Sequence, residues 1–300
     1  MSTAGQCNHS RASKLSPGVL TEHQLACTTQ IGYFAYVPVN LQATQPPFVF
    51  VHGYSRRARE HAEALIPLCE ELGCALLAPL FAKDEHPRYQ RLGRGRDGQR
   101  SDRVLDACIE DLFGRNVGPI YLSGFSGGAQ FAHRYTMAHP SRVARLVVVA
   151  AGWYTLPSAT LRYPLGLHTR QAFRGITLNP ERFLKVPTTV IVGDQDTGYE
   201  NLRRSPELDM QQGITRVLRA RNWTAHMRLA AKSHRLESLV RYLEIPGIGH
   251  DFEEFVHRGR LLALLRESLT TEFEKNGKSP SLATFTNLNL SANVRVAQLV

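Results

Sequence analysis

The sequence predicts an α/β fold: a mainly parallel central sheet with helices on both faces. Three observations lead there. Residues 47–51, 74–81, 119–123, 145–151 and 188–192 are short, nearly continuous apolar runs. A strand buried on both faces reads that way, whereas a half-exposed strand alternates. Amphipathic or well-buried helical stretches separate most of these runs, and no linker interrupts the pattern, which implies one domain. Finally, a Gly-x-Ser-x-Gly pentapeptide, residues 124–128, sits between an apolar run and a helical stretch that Pro140 closes. A sharp strand-to-helix turn reads in this way.

Each element follows from local chemistry. Residues 1–18 are polar and read as a flexible leading segment. Residues 20–28 and 30–39 read as an antiparallel strand pair, the second rich in Tyr and Phe. Residues 47–51, Pro-Phe-Val-Phe-Val, form a central strand leading straight into His52-Gly53-Tyr54. Residues 56–72 place Ala62, Leu65, Leu68 and Cys69 among Arg and Glu, as an amphipathic helix does; Pro67 predicts a kink and Gly73 a C-terminal cap. Residues 74–81 are a strand, 82–100 a polar loop, and 101–113 a helix with Ser101 as N-cap. After the strand 119–123 and helix 127–139 comes a strand over 145–151, then about thirty-five residues without clear periodicity. Residues 188–192 form a strand, 208–238 read as helical, 241–245 as a strand and 251–273 as a terminal helix. The domain therefore spans 19–275. The tail, 276–300, is compatible with an edge strand, a disordered tail or an interaction segment.

Composition narrows the function classes. With 43% hydrophobic and 21% charged residues, the 300-residue chain has ample material for a core. A net charge of +10 permits contact with anions. The basic residues are scattered, however, apart from Arg91 to Arg100, which lacks the interleaved aromatics of a nucleic-acid platform. That run reads as a solvated loop able to attract an anionic substrate, and no nucleic-acid partner is expected. The five cysteines form no Cys-x-x-Cys pair and no metal-ligand spacing, so neither a disulfide framework nor a metal is expected. No apolar run is long enough to span a membrane. The polar N-terminus predicts a cytoplasmic protein, or a secreted one if a leader has been removed.

The chemistry gathers where parallel strands end, the edge at which α/β sheets bind ligands. A serine lifted by a tight turn above the sheet, at the N-terminus of a helix, is placed for nucleophilic attack, and the Gly127 N–H for holding an oxyanion. Ser126 needs a base. Of twelve histidines, His250 lies in a Gly-rich loop after the last strand, from which it reaches the serine. His133 and His139 ride the helix after Ser126 and point elsewhere. His61, His226, His234 and His257 read as surface or packing residues, and His52 as shaping its loop. The base needs a carboxylate, for which Asp196 is favoured over Asp194, the latter being better placed to bond the turn's own backbone.

These motifs resemble those of the α/β-hydrolase superfamily over residues 20–270: His52-Gly53-Tyr54, Gly124-Phe125-Ser126-Gly127-Gly128, Gly193-Asp194-Gln195-Asp196 and Gly249-His250. Within it, Tyr36-Val37-Pro38 and the short His-Gly-Tyr are similar to carboxylesterases and poly(3-hydroxyalkanoate)-depolymerase-like hydrolases. The resemblance implies a Ser126–His250–Asp196 triad, oxyanion donors at Tyr54 and Gly127, a carboxylic ester substrate, small or polymeric, and no cofactor. Residues 152–187, rich in Trp, Tyr, Leu and Phe, read either as a short substrate cap or as a satellite core under a long loop. Trp153, Tyr54 and Phe125 are the expected substrate contacts. Amidase, peptidase and thioesterase chemistry on the same triad stay open, as does a catalytically silent small-molecule binder.

Overall fold

The computed structural model describes residues 11–25, 31–169, 173 and 176–271. The expectations for residues 1–10 and for the tail 276–300 lie outside the described residues.

Among the described residues eight strands form one sheet: β1 (Thr21–Gln24), β2 (Gly32–Tyr36), β3 (Phe48–Val51), β4 (Leu76–Leu80), β5 (Ile120–Phe125), β6 (Val143–Val149), β7 (Thr188–Gly193) and β8 (Val240–Ile245). Their order is β1-β2-β4-β3-β5-β6-β7-β8. β2 pairs antiparallel with both β1 and β4; every later pairing is parallel. The helices are α1 (Ala58–Leu72), α2 (Ser101–Phe113), α3 (Gly127–Ala138), the single turn α4 (Pro180–Phe183), α5 (Pro206–Gln212), α6 (Arg216–Ser233), α7 (Phe252–His257) and α8 (Leu261–Thr270).

Strands β3 and β5 are buried along their whole length, as their unbroken apolar runs require. They separate two cores. On one face, α1, α7 and α8 pack Leu65, Leu68, Phe255 and Leu265 against Phe48, Phe50 and Val147. On the other, α2, α3 and α6 pack Leu105, Phe131 and Trp223 against Val49, Leu122 and Val148. Tyr154, Leu156, Leu167 and Phe173, from the aperiodic stretch after β6, belong to this second core. Among the described residues no helix is long and apolar enough to cross a membrane.

Several local expectations need correction. Ser101 is the first residue of α2 rather than its N-cap; Arg100 holds that position, and the Ser101 hydroxyl donates to the Gly93 carbonyl at 2.9 Å. The helix expected over 208–238 is two helices, because Gly213 stands between them at φ 102°. The terminal helix is also broken, at Arg260, whose φ is 53°. The loop 82–100 is not uniformly solvated. Arg100 is buried on Asp102 at 2.9 Å, and Tyr89–Arg91 forms a 3-10 turn with the Tyr89 ring in the core.

Buried histidines make this fold acid-sensitive. Burial pushes His52 down to about 4 and His61 down to about 3, from an ordinary 6.5, and also lowers His133. Below pH 6.5 the unfolded chain takes up protons at these sites while the native one does not. Stability is therefore full above the unfolded value and falls as pH drops toward the folded ones. Between about pH 7.5 and pH 5, His52 and His61 should each cost on the order of 2 kcal/mol. The urea midpoint at the two pH values checks this, and an unchanged midpoint would contradict it.

Candidate active site

The turn after β5 is built around a strained residue. Ser126 has φ 53° and ψ −109°, which few non-glycine residues adopt. Its N–H donates to the Val149 carbonyl at 2.9 Å, and its own carbonyl accepts the Gln130 N–H at 3.1 Å. The flanking glycines are steric necessities. A Cβ on Gly128 would lie 1.9 Å from the Val51 carbonyl oxygen, and one on Gly124 would lie 2.5 Å from the Gly128 carbonyl carbon. The first turn of α3 thus passes β3 and β5 closer than a side chain permits, and Ser126 stands at the helix N-terminus.

The loops after β7 and β8 are stitched together. Asp194 accepts the Gly247 N–H at 2.7 Å, and the Ile248 carbonyl accepts the Gln195 N–H at 3.0 Å. This brings Asp196, 1% exposed, to His250. His250 Nδ1 lies 2.7 Å from Asp196 Oδ2, and Nε2 lies 3.0 Å from Ser126 Oγ. With Nδ1–H donating to the carboxylate, Nε2 is left to accept the serine proton. Phe125 stacks on the imidazole at 5.1 Å and is itself backed by Phe252 and Phe255. Its ring therefore supports His250 from the core instead of facing open space.

Two backbone amides approach the same spot. The Tyr54 nitrogen lies 3.3 Å from where a Cβ on Gly127 would be. The turn carrying Tyr54 is fixed by His52, which accepts the Phe81 N–H at Nε2 (3.0 Å) and therefore donates from Nδ1 to the Gly53 carbonyl (2.7 Å). The Tyr54 side chain is 59% exposed, with the Arg56 guanidinium 5.0 Å from its ring centroid. Trp153 is set apart from this group. It is 3% exposed and lines a cavity of about 470 Å³ together with Arg91, Arg162, Tyr163, Arg203 and Glu207. Among the described residues no cluster of His, Cys, Asp or Glu is arranged to hold a metal ion.

No protein-family model matches the chain, and no curated protein sequence does. Solved structures do. The chain is similar to poly(aspartic acid) hydrolase-1 from Sphingomonas sp. KT-1, with 24% identity and a TM-score of 0.68, over 83% of this chain and all of that one. It is similar to LpqC, a poly(3-hydroxybutyrate) depolymerase from Bordetella parapertussis, with 24% identity and a TM-score of 0.65, over 85% of this chain and 95% of that one. A ferulic acid esterase superposes with a TM-score of 0.56 at 12% identity, over 84% of this chain and 97% of that one. The chain has the α/β-hydrolase fold.

Sequence reasoning missed one residue of this cluster. Arg216, 3% exposed, donates from Nη1 to Asp196 Oδ1 at 3.1 Å, so the carboxylate is shared between His250 and a buried guanidinium. The sequence did hold a signal. Arg216 is the first residue of α6, where a cation opposes the helix dipole and needs an anion to compensate. Replacing Arg216 by Met would leave Asp196 buried with only His250 as its side-chain partner. Arg216→Met is expected to cost about 3 kcal/mol, the low end for breaking a buried ion pair. The urea midpoint checks this, and a loss under about 0.5 kcal/mol would count against it.

Proposed function

We propose that the chain hydrolyses carboxylic esters through Ser126, His250 and Asp196. The observation that carries the reading is the continuous hydrogen-bonded line from Ser126 to His250 to Asp196, drawn from residues 124 and 54 positions apart. In this mechanism His250 Nε2 takes the Ser126 proton as Oγ attacks the ester carbonyl. The Tyr54 and Gly127 N–H groups bind the oxygen that becomes negative, which removes the need to reorganise solvent around it. His250, now protonated and stabilised by Asp196, gives its proton to the departing alcohol. Water then attacks the acyl-serine with His250 again as base, releasing the acid and restoring the serine. Polyesters present the same bond and belong to the proposed substrate range. In this reading Tyr54 and Trp153 contact the substrate, and Phe125 acts through His250.

Hydrolysis of p-nitrophenyl esters from acetate to palmitate tests the proposal, together with labelling by a serine-directed fluorophosphonate. Turnover is expected, with the label on Ser126; the best chain length sizes the acyl site. Folded protein that turns over no ester and takes no label would indicate a silent binder. Labelling without ester turnover would direct the search to amides and thioesters.

A further inference from the structure

The cavity beside Trp153 is surrounded by positive charge with almost nothing to balance it. Three guanidinium groups stand around the one indole: Arg134 at 4.2 Å from its centroid, Arg203 at 5.1 Å and Arg91 at 5.4 Å. Arg91, Arg162 and Arg203 line the cavity, Arg134 stands behind the indole, and among the described residues Glu207 is the single carboxylate in the lining. Among the described residues, no carboxylate lies within ion-pair distance of Arg91, Arg134, Arg162 or Arg203, although most other arginines of the chain have such a partner.

Arg134 is the sharpest case. It is 1% exposed, and an ionised group at that depth normally has a counter-ion. It has only neutral partners: Thr155 Oγ1 at 2.9 Å and the Gln90 and Gln130 carbonyls at 2.6 and 3.2 Å, with a long contact to Gln130 Oε1. Its Nη2 is buried and has no hydrogen-bond partner, and the same is true of Arg91 Nε. Burial first pushes Arg134 down to about 9 from 12.5; Tyr163 partly offsets this, and Arg91 and Arg203 add to it. The Tyr163 hydroxyl donates to the Arg91 carbonyl at 2.8 Å.

Helix α3 connects the proposed nucleophile to the residues around Trp153. Ser126 caps α3, and Gln130 and Arg134, four residues apart, share one face of it, with Arg134 about 12 Å along the axis from Ser126. Gln130 connects the two. Its N–H bonds the Ser126 carbonyl, and its side chain lies 3.0 Å from where a Cβ on Gly152, the residue before Trp153, would sit. Arg203 comes from the chain just past Asp196, with Leu202 against the same glycine.

We propose that this cavity is a carboxylate subsite and that the preferred ester carries an ionised carboxyl group about two helical turns from the scissile bond. The proposal rests on the ester-hydrolase reading and adds the substrate's charge to it. Planar guanidinium groups match a carboxylate in geometry as well as in sign, and the Trp153 face keeps them oriented while excluding water.

The test compares mono-p-nitrophenyl esters of the diacids from adipic to dodecanedioic acid with the matched esters whose far end is a neutral primary amide. Arg203 is exposed and has no hydrogen bond among the described residues, so Arg203→Gln is expected to fold. Wild type should favour the carboxylate over the amide by about tenfold or more in kcat/KM at the best length. Arg203→Gln and the double variant Arg91→Gln/Arg203→Gln should bring that ratio progressively toward one, while Arg203→Lys should keep most of it. Equal rates on carboxylate and amide, or a preference that survives in the double variant, would overturn the subsite and leave the ester-hydrolase reading standing. Calorimetric binding of free suberate covers the other case. Should no ester be turned over, suberate binding that is lost in the double variant would support the subsite and sink the hydrolase reading. Absence of both turnover and suberate binding would overturn the two together.

Discussion

Ser126→Ala is expected to retain no more than about one part in ten thousand to one part in a million of wild-type kcat on a p-nitrophenyl ester, with KM changed far less. The size of the loss follows from the division of labour in the site. Removing Oγ removes the bond-forming atom, so no acyl-enzyme forms and His250 has no proton to accept. The Tyr54 and Gly127 amides remain and, as the proposed oxyanion donors, would account for whatever residual rate survives. His250→Ala should fall by a similar factor, and combining the two should cost little more, because the two side chains act as one unit. Stability should change little, since the Ser126 side chain's bond is to a part-exposed imidazole. Measuring kcat and the urea midpoint on the same preparations separates a chemical loss from a folding one. A Ser126→Ala enzyme within a hundredfold of wild type would show that another group carries the reaction.

Gly128→Ala is expected to destabilise the protein by at least about 4 kcal/mol, more than most single substitutions do. The added methyl would stand 1.9 Å from the Val51 carbonyl oxygen and 2.5 Å from that of His52. Neither obstacle is a flexible side chain. Both belong to the backbone at the end of β3, which is hydrogen-bonded to β5 beside it. Relief requires α3 to move off the sheet, and α3 carries Phe131 and Tyr135 in the core. The same movement would carry Gly127 away from Tyr54, so activity at a temperature where the variant is still folded should drop as well. Thermal denaturation read beside the residual rate tests both effects. A melting temperature within about 2 °C of wild type would mean that the close approach is not needed.

The parallel sheet was legible because β3, β5, β6 and β7 are buried on both faces and leave nearly unbroken apolar runs. The pairing of Ser126 with His250 was legible for a related reason: a loop histidine after the last parallel strand has one edge of the sheet to face. What escaped the sequence was tertiary in origin. Gly213 and Arg260 interrupt stretches that read as helical on both sides, since a positive-φ break at a single residue leaves the flanking sequence compatible with a helix. The basic run from Arg91 to Arg100 gave no hint that Arg100 turns inward to Asp102, because Arg100 is as hydrophilic as its exposed neighbours. Phe125 reads as a site residue by its position in the pentapeptide, yet its place at the end of β5 turns the ring toward Phe252 and Phe255. Arg216 and the cluster around Trp153 are assembled from segments far apart in sequence, so no local window contains them.

His250 follows β8, the last strand in sequence among the described residues and one edge of the sheet. This sets an order in time. At a synthesis rate of about 5 to 20 residues per second, His250 emerges roughly 6 to 25 s after Ser126. On the ester-hydrolase reading, Ser126 is an ordinary alcohol throughout that interval, because the residue that would activate it does not yet exist. The newborn chain would then meet esters with its chemistry disarmed. The docking of β8, which brings His250 to Ser126, would switch the reactive group on.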